Sequence, residues 1–158
     1  MQADAIAVQI KLDDLTHPGV IALLAEHIQD MRAISPPCSK HALDLEGLKK
    51  PEIAFWSAWD GVELAGCGAM KRLNAEHVEL KSMRTVRSRR GQGIGALILG
   101  HIMNEARRAG YGRMSLETGS MAFFAPARAL YEKHGFKYCG PFAEYRDDPN
   151  SVFMTREL

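Results

Sequence analysis

The stretch SRRGQGIGALILGHIMNEARRAG, residues 88–110, decides how the rest of the chain is read. Gly91, Gly93 and Gly95 interrupt a basic turn, and Ile94, Leu97, Ile98, Ile102, Ala106 and Ala109 then recur at helical spacing until Gly110 supplies a stop. Such periodicity predicts an amphipathic helix over 93–110 with its apolar stripe on a core. The turn before it has the properties of an anion site. Glycines let the backbone turn tightly and approach a ligand, the first N–H groups of a helix lack an intrahelical partner, and the helix dipole adds positive potential at that end. Lys81, Arg84, Arg87, Arg89 and Arg90 put five cations and no acid into residues 81–90. A diphosphate is the guest such a turn fits. A P-loop is excluded, since no GxxxxGK[ST] is present. Gly91, Gly93 and Ala96 can be set in GxGxxA spacing with Glu117 as a ribose-binding acid, but Arg87 to Arg90 stand where a dinucleotide loop needs apolar strand residues.

Upstream of the turn, HVELKSMRT (77–85) reads as the strand that feeds it, and strict alternation puts His77, Glu79, Lys81 and Met83 on one face and Val78, Leu80 and Ser82 on the other. Earlier still, IAFWSAWD and VELAGCGAMKRL flank Asp60-Gly61, a hairpin signal. A helix from His17-Pro18 carries Val20, Leu23, Leu24, His27 and Met31 on one side and is stopped by Ser35-Pro36-Pro37. Residues 6–12 read as a first strand and 41–49 as a short helix. Downstream come a strand at 113–118, a helix at 125–134 presenting Ala127, Leu130, Tyr131 and His134, the short strand FKYCG, and a last strand at 151–158. The order β-α-α-β-β-β-α-β-α-β-β predicts an α/β (α+β) fold, a mixed sheet with helices on its faces, in one domain spanning 1–158.

Composition is that of an ordinary globular domain and excludes several other classes. At 46% hydrophobic and 25% charged residues, the 158-residue chain is neither disordered, collagen-like nor a bare coiled coil. No apolar run reaches the ~18 residues of a membrane span, and the N-terminal MQADAIAVQIKLDD carries acids where an export signal needs cations, so a cytoplasmic protein without a membrane partner is expected. Cys38, Cys67 and Cys139 are odd in number and widely spaced, which indicates reduced thiols and neither a disulfide framework nor a metal site. The net charge of +1 hides an asymmetry: residues 1–80 hold 7 Lys/Arg against 12 Asp/Glu, residues 81–158 hold 13 against 7. With 8% aromatics and no evident recognition helix, the basic half does not read as a nucleic-acid surface.

Arg90-x-x-Gly93-x-Gly95 opening an amphipathic helix, Glu79-Leu80 on the preceding strand, and ALYEKHGF (129–136) further on together resemble the GNAT N-acetyltransferase superfamily. SPPCSKHALDL, ELKSMRT, LETGS and CGPF also resemble its bacterial YsnE-type subgroup. The resemblance implies a mostly antiparallel central sheet flanked by helices on both faces, with acetyl-CoA as cosubstrate. It implies that the Gly91, Gly93 and Gly95 amides, with Arg90, Gln92 and Ile94, cradle the pyrophosphate. Met83, Arg84 and Thr85 would hydrogen-bond the pantetheine like an added strand, and Arg87 or Arg89 could meet the ribose phosphate. Tyr131 aligns with the tyrosine that protonates the departing thiolate, and Glu79 with a glutamate used as general base in some members. Phe124 replaces a frequent asparagine and Arg87 a frequent proline.

Other readings of these residues stay open. Lys81 makes a structural ion pair an alternative for Glu79; Glu117 is a second candidate base, and His41 and His77 are outside ones. The expected reaction is acetyl transfer to a primary amine of a small molecule by direct attack, since no cysteine or serine stands beside an evident base. Lys81, Arg84 and Arg128 point to an acceptor that also carries a carboxylate. A non-catalytic acyl-CoA-binding module is the alternative, and a homodimer is left open. Ser35–Asp44, Trp56, Trp59 and Phe142 to Tyr145 are expected to shape the acceptor pocket.

Overall fold

Asp60 pairs with Glu63 across a turn in which Gly61 takes a positive φ of 61°, as the Asp-Gly signal requires, and this hairpin joins β2 (Ile53–Asp60) to β3 (Glu63–Arg72). The structure, a computed structural model, describes residues 7–34 and 43–158. The remaining elements are β1 (Val8–Leu12), α1 (Pro18–Ile34), α2 (Leu45–Leu48), β4 (His77–Thr85), α3 (Ile94–Arg108), β5 (Arg113–Gly119), α4 (Ala125–Lys133), β6 (Lys137–Cys139) and β7 (Ser151–Glu157), with 3-10 turns at Arg87–Arg89 and Ala122–Phe124. Ile6, the Ser35-Pro36-Pro37 stop, Cys38 and His41 lie outside the described residues. Among those residues, no helix is long and apolar enough to cross a membrane.

The seven strands form one sheet in the order β1-β2-β3-β4-β5-β7-β6, antiparallel throughout except for the parallel β4–β5 pair. Two apolar clusters show that both faces are covered. Leu23 and Leu24 of α1 and Leu48 of α2 pack with Phe55, Trp59 and Cys67 on one face. Ile94, Ile98 and Ile102 of α3 pack with Trp56, Val78, Leu80 and Met154 on the other, where Tyr131 of α4 joins them. The buried stripe of α3 is rotated from the expected one: Leu99 and Met103 are inside, while Leu97 is 46% exposed and Ala109 lies on the surface. The helix can settle this deeply because β3 presents glycine beneath it. A Cβ on Gly68 would stand 2.8 Å from Ile102 Cδ1 and 2.9 Å from Ile98 Cγ2.

The alternation expected along β4 holds only as far as Lys81. Ser82 has a φ of 55°, and the β3–β4 register slips between Cys67, opposite Arg84, and Ala69, opposite Lys81. This is a β-bulge, which inserts a residue and reverses the phase of everything after it. Met83 therefore packs with the α3 cluster on the Leu80 face, and Arg84 turns to α1, where its guanidinium meets Glu26 and Asp30.

Candidate active site

β4 and β5 are paired only over His77–Leu80 and Arg113–Leu116. Beyond that, among the described residues, the strands part, and the β4 backbone from Lys81 to Thr85 presents an edge with no strand on its β5 side. A cleft of about 140 Å³ opens at the gap and is lined by Glu79, Lys81, Ser82 and Met83 from β4, Glu117 from β5 and Tyr131 from α4. On the α1 face a wider groove of about 900 Å³ runs over Lys71, His77 and Arg146 and shares Glu79, Lys81 and Tyr145 with the cleft. The gap thus leads through the sheet: Tyr131 belongs to the α3 face, while Glu79, next to inward-facing Val78 and Leu80, points to the other.

Glu79 is only 3% exposed and is held by two partners. Lys81 Nζ donates to Glu79 Oε2 at 3.1 Å and to the Tyr145 hydroxyl at 3.0 Å, and the Tyr145 hydroxyl donates a short hydrogen bond to the same Oε2. The structural ion pair is therefore real, and the carboxylate still reaches both cavities. Burial, with help from Glu79, pushes the Tyr145 phenol far above its ordinary pKa. Tyr145 is the residue that sequence reasoning placed only in a general pocket wall; nothing in the pattern links position 145 to position 79. Phe142 and Phe153 brace its ring at 5.1 and 5.4 Å between centroids.

Tyr131 is 7% exposed, and burial, reinforced by the charge of Glu117, raises its phenol well above the usual value. At neutral pH the phenol is protonated. Glu117, the second candidate base, lines the same cleft and accepts a hydrogen bond from Ser151 Oγ at 2.8 Å. His77 is tied to Ser115 Oγ at 2.6 Å, and burial together with Arg113 lowers its pKa. Phe124 also lines the cleft, its ring lying where a Cβ on Gly119 would be 2.1 Å from it.

The basic run is largely used inside the fold, which corrects the weight given to it. Arg84 is buried and reaches Glu26 and Asp30 at 2.6 Å each; Arg87 shares both acids; Arg89 pairs with Asp60 at 2.8 Å and Glu63 at 3.5 Å. The Arg84 hydrogen bond holds the Asp30 carboxyl below its ordinary range. Arg84 can therefore serve a ligand through its backbone and not its side chain. Arg128 is half-buried, and its Nη1 is taken up by the Gly119 and Met121 carbonyls at 2.7 and 3.0 Å. Of the five cations, Arg90 alone has no ion pair among the described residues, and it is exposed beside the glycine turn.

That turn keeps its anion-site geometry. Gly91 and Gly93 have φ of 79° and 82°, and Gly93 caps α3 in the left-handed region, where a Cβ is costly. The first intrahelical bond runs from the Leu97 N–H to the Gly93 carbonyl, so the amides of Ile94, Gly95 and Ala96 have no helical acceptor. Ile94 contributes only backbone, its side chain being in the core. Gly95 lies between Thr85 and Leu130, where the turn meets the open β4 edge.

Comparison with known proteins agrees with this arrangement. The model of the Acetyltransferase (GNAT) family matches residues 20–136. YsnE of Bacillus subtilis, named an uncharacterized N-acetyltransferase, is 59% identical over 149 residues, covering 94% of this chain and 99% of its own. Among solved structures, a protein described as an acyl-CoA N-acyltransferase from Klebsiella pneumoniae superposes with a TM-score of 0.77 at 27% identity, covering 98% of this chain and 99% of its own. A GNAT acetyltransferase from Elizabethkingia anophelis, solved with acetyl-CoA bound, has a TM-score of 0.68 at 18% identity over 96% of this chain and 98% of its own. The split sheet, the glycine turn and these relatives lead to one conclusion: the chain belongs to the GNAT family of acyl-CoA-dependent acetyltransferases.

Proposed function

We propose that this enzyme transfers the acetyl group of acetyl-CoA to a primary amine of a small molecule by direct attack within a ternary complex. One observation carries the reading: the cleft at the β4–β5 gap has a buried carboxylate, Glu79, on one face of the sheet and a buried phenol, Tyr131, on the other. Acetyl-CoA supplies the activated thioester. Its diphosphate sits on the Gly91–Gly95 amides beside Arg90 and Gln92, and its amide-bearing arm pairs with the Met83–Thr85 edge of β4. The acceptor enters from the α1-face groove, gives its ammonium proton to Glu79, and attacks the carbonyl; Tyr131 protonates the departing thiolate. Much of the rate comes from holding amine and thioester together, with strand amides polarising the carbonyl.

The two cysteines among the described residues support direct attack. Burial pushes the Cys67 thiol up to about 12, and Cys139 is shifted upward as well, so neither supplies a thiolate nucleophile at neutral pH. An acceptor that also bears a carboxylate would find Lys71, Arg72 and Arg146, in place of the engaged Arg84 and Arg128, on a groove that also carries Glu144, Asp147 and Asp148. The test follows free CoA thiol while the protein is incubated with acetyl-CoA and a panel of amino acids, polyamines, aminoglycosides and peptide N-termini. Amine-dependent thiol release is expected. Tight acetyl-CoA binding with no turnover on any amine would return the chain to an acyl-CoA-binding role.

A further inference from the structure

The cleft already contains a primary amine. Lys81 Nζ lies 3.1 Å from Glu79 Oε2, its side chain is 9% exposed, and it lines both the cleft and the acceptor groove. An acceptor that Glu79 is to deprotonate must bring its ammonium to that same carboxylate, and the ammonium of Lys81 occupies this place. Lys81 is also the first residue of the β4 edge beyond the pairing with β5, so its stem starts where the thioester arm is to lie. Tyr145 restrains it further, the ammonium standing 5.7 Å from the centre of that ring.

We propose that Lys81 is an acceptor in its own right, and that without an external amine the enzyme acetylates Lys81 in cis. This rests on the roles given above to Glu79 and Tyr131. The Lys81 ammonium passes one proton to Glu79. The neutral amine forms the new C–N bond at the thioester carbonyl, the C–S bond breaks, and the remaining extra proton on nitrogen reaches sulfur by way of Tyr131. The products are Nε-acetyl-Lys81, free CoA thiol and a protonated Glu79 that releases its proton to water. Fixing the amine beside its base raises its effective concentration far above that of a free acceptor. The acetamide then fills the cleft and removes the cation from Glu79, so the modified chain is closed to acceptors until it is deacetylated.

The full chain is incubated with acetyl-CoA alone and followed by intact mass and peptide mapping. The expected result is the gain of one acetyl group at Lys81, at a first-order rate independent of protein concentration. Tyr131→Phe is expected to slow it at least ~10-fold, while acetylation of the exposed Lys50, Lys133 and Lys137 by free acetyl-CoA is unchanged. Lys81→Arg keeps the charge and loses the modification. An unmodified Lys81 in a preparation that acetylates an amine of the panel overturns this proposal and leaves the transferase reading intact. Modification at the pace of the surface lysines, insensitive to Tyr131→Phe, also overturns it. No transfer to Lys81 or to any amine overturns the transferase reading along with it.

Discussion

Replacing Gly95 with aspartate is expected to leave folding intact while removing acetyl-CoA binding, and the opposed signs make it a sharp test. Gly95 is the second residue of α3, with an ordinary helical backbone and room for a Cβ 3.3 Å from the movable tip of Leu130. A carboxylate in a first helical turn stabilises by about 0.3–1 kcal/mol through the helix dipole, and replacing a helical glycine adds a few tenths more. Leu130 must yield slightly, so net stability stays near the wild-type value. For the ligand, a negative charge roughly 4 Å from a phosphate oxygen costs about 4 kcal/mol at an effective dielectric constant of about 20. That is a ~10³-fold loss of affinity. At a hundredfold excess over Kd the wild type gains about 2.7 kcal/mol from ligand, or about 5–10 °C in Tm; Gly95→Asp gains none. Calorimetric titration of both proteins and of Gly95→Ala separates charge from bulk. Wild-type affinity in a folded Gly95→Asp would refute the placement of the diphosphate.

Tyr131→Phe is expected to lower kcat by ~10²–10⁴-fold with acetyl-CoA affinity nearly unchanged, since only the hydroxyl is lost; equal losses in Kd and kcat would make it a packing residue. Glu79→Gln is expected to cut kcat by a similar factor and to destabilise by about 3–5 kcal/mol, because it leaves Lys81 buried without its counter-charge. Chemical denaturation of Glu79→Gln, and of the same change combined with Lys81→Met, checks this, with the double variant the more stable. Burial, aided by Arg84, pushes His27 down to about 4 from 6.5. The unfolded chain therefore binds the proton first, and stability contributed by neutral His27 is full above pH 6.5 and declines on acidification towards 4, by on the order of 3 kcal/mol. The pH dependence of Tm over that interval is expected to flatten in His27→Phe; an unchanged slope would assign it to other groups.

The element order was readable because each segment carries a local signal: Asp60-Gly61 for the hairpin, glycines at both ends of α3, Gly135 after α4. The inner face of α3 was read one notch off, since periodicity gives a stripe and only the glycine-floored β3 decides where its centre lies. The bulge at Ser82 is not readable, because a serine with positive φ looks in sequence like any strand residue, and strict alternation therefore puts Met83 on the wrong face. The cationic run misled for another reason. Composition shows that arginines are present, but their partners Glu26, Asp30, Asp60 and Glu63 are brought to them only by folding. Sequence places Tyr145 in the acceptor pocket but not against Glu79, because that contact spans 66 residues of chain.

The short β4–β5 ladder has a mechanical consequence. β1–β4 and β5–β7 are joined through four residue pairs, so the sheet is two half-sheets sewn together at one end. A cosubstrate lying along the open edge would extend the seam, turning acetyl-CoA from a passenger into part of the chain's cross-bracing. Amide exchange reports this directly: protection gained on binding should be largest at Met83–Thr85 and extend across the seam into β5. Release of CoA would then loosen the union of the halves, making the rate of product departure a property of the whole sheet as well as of the glycine turn.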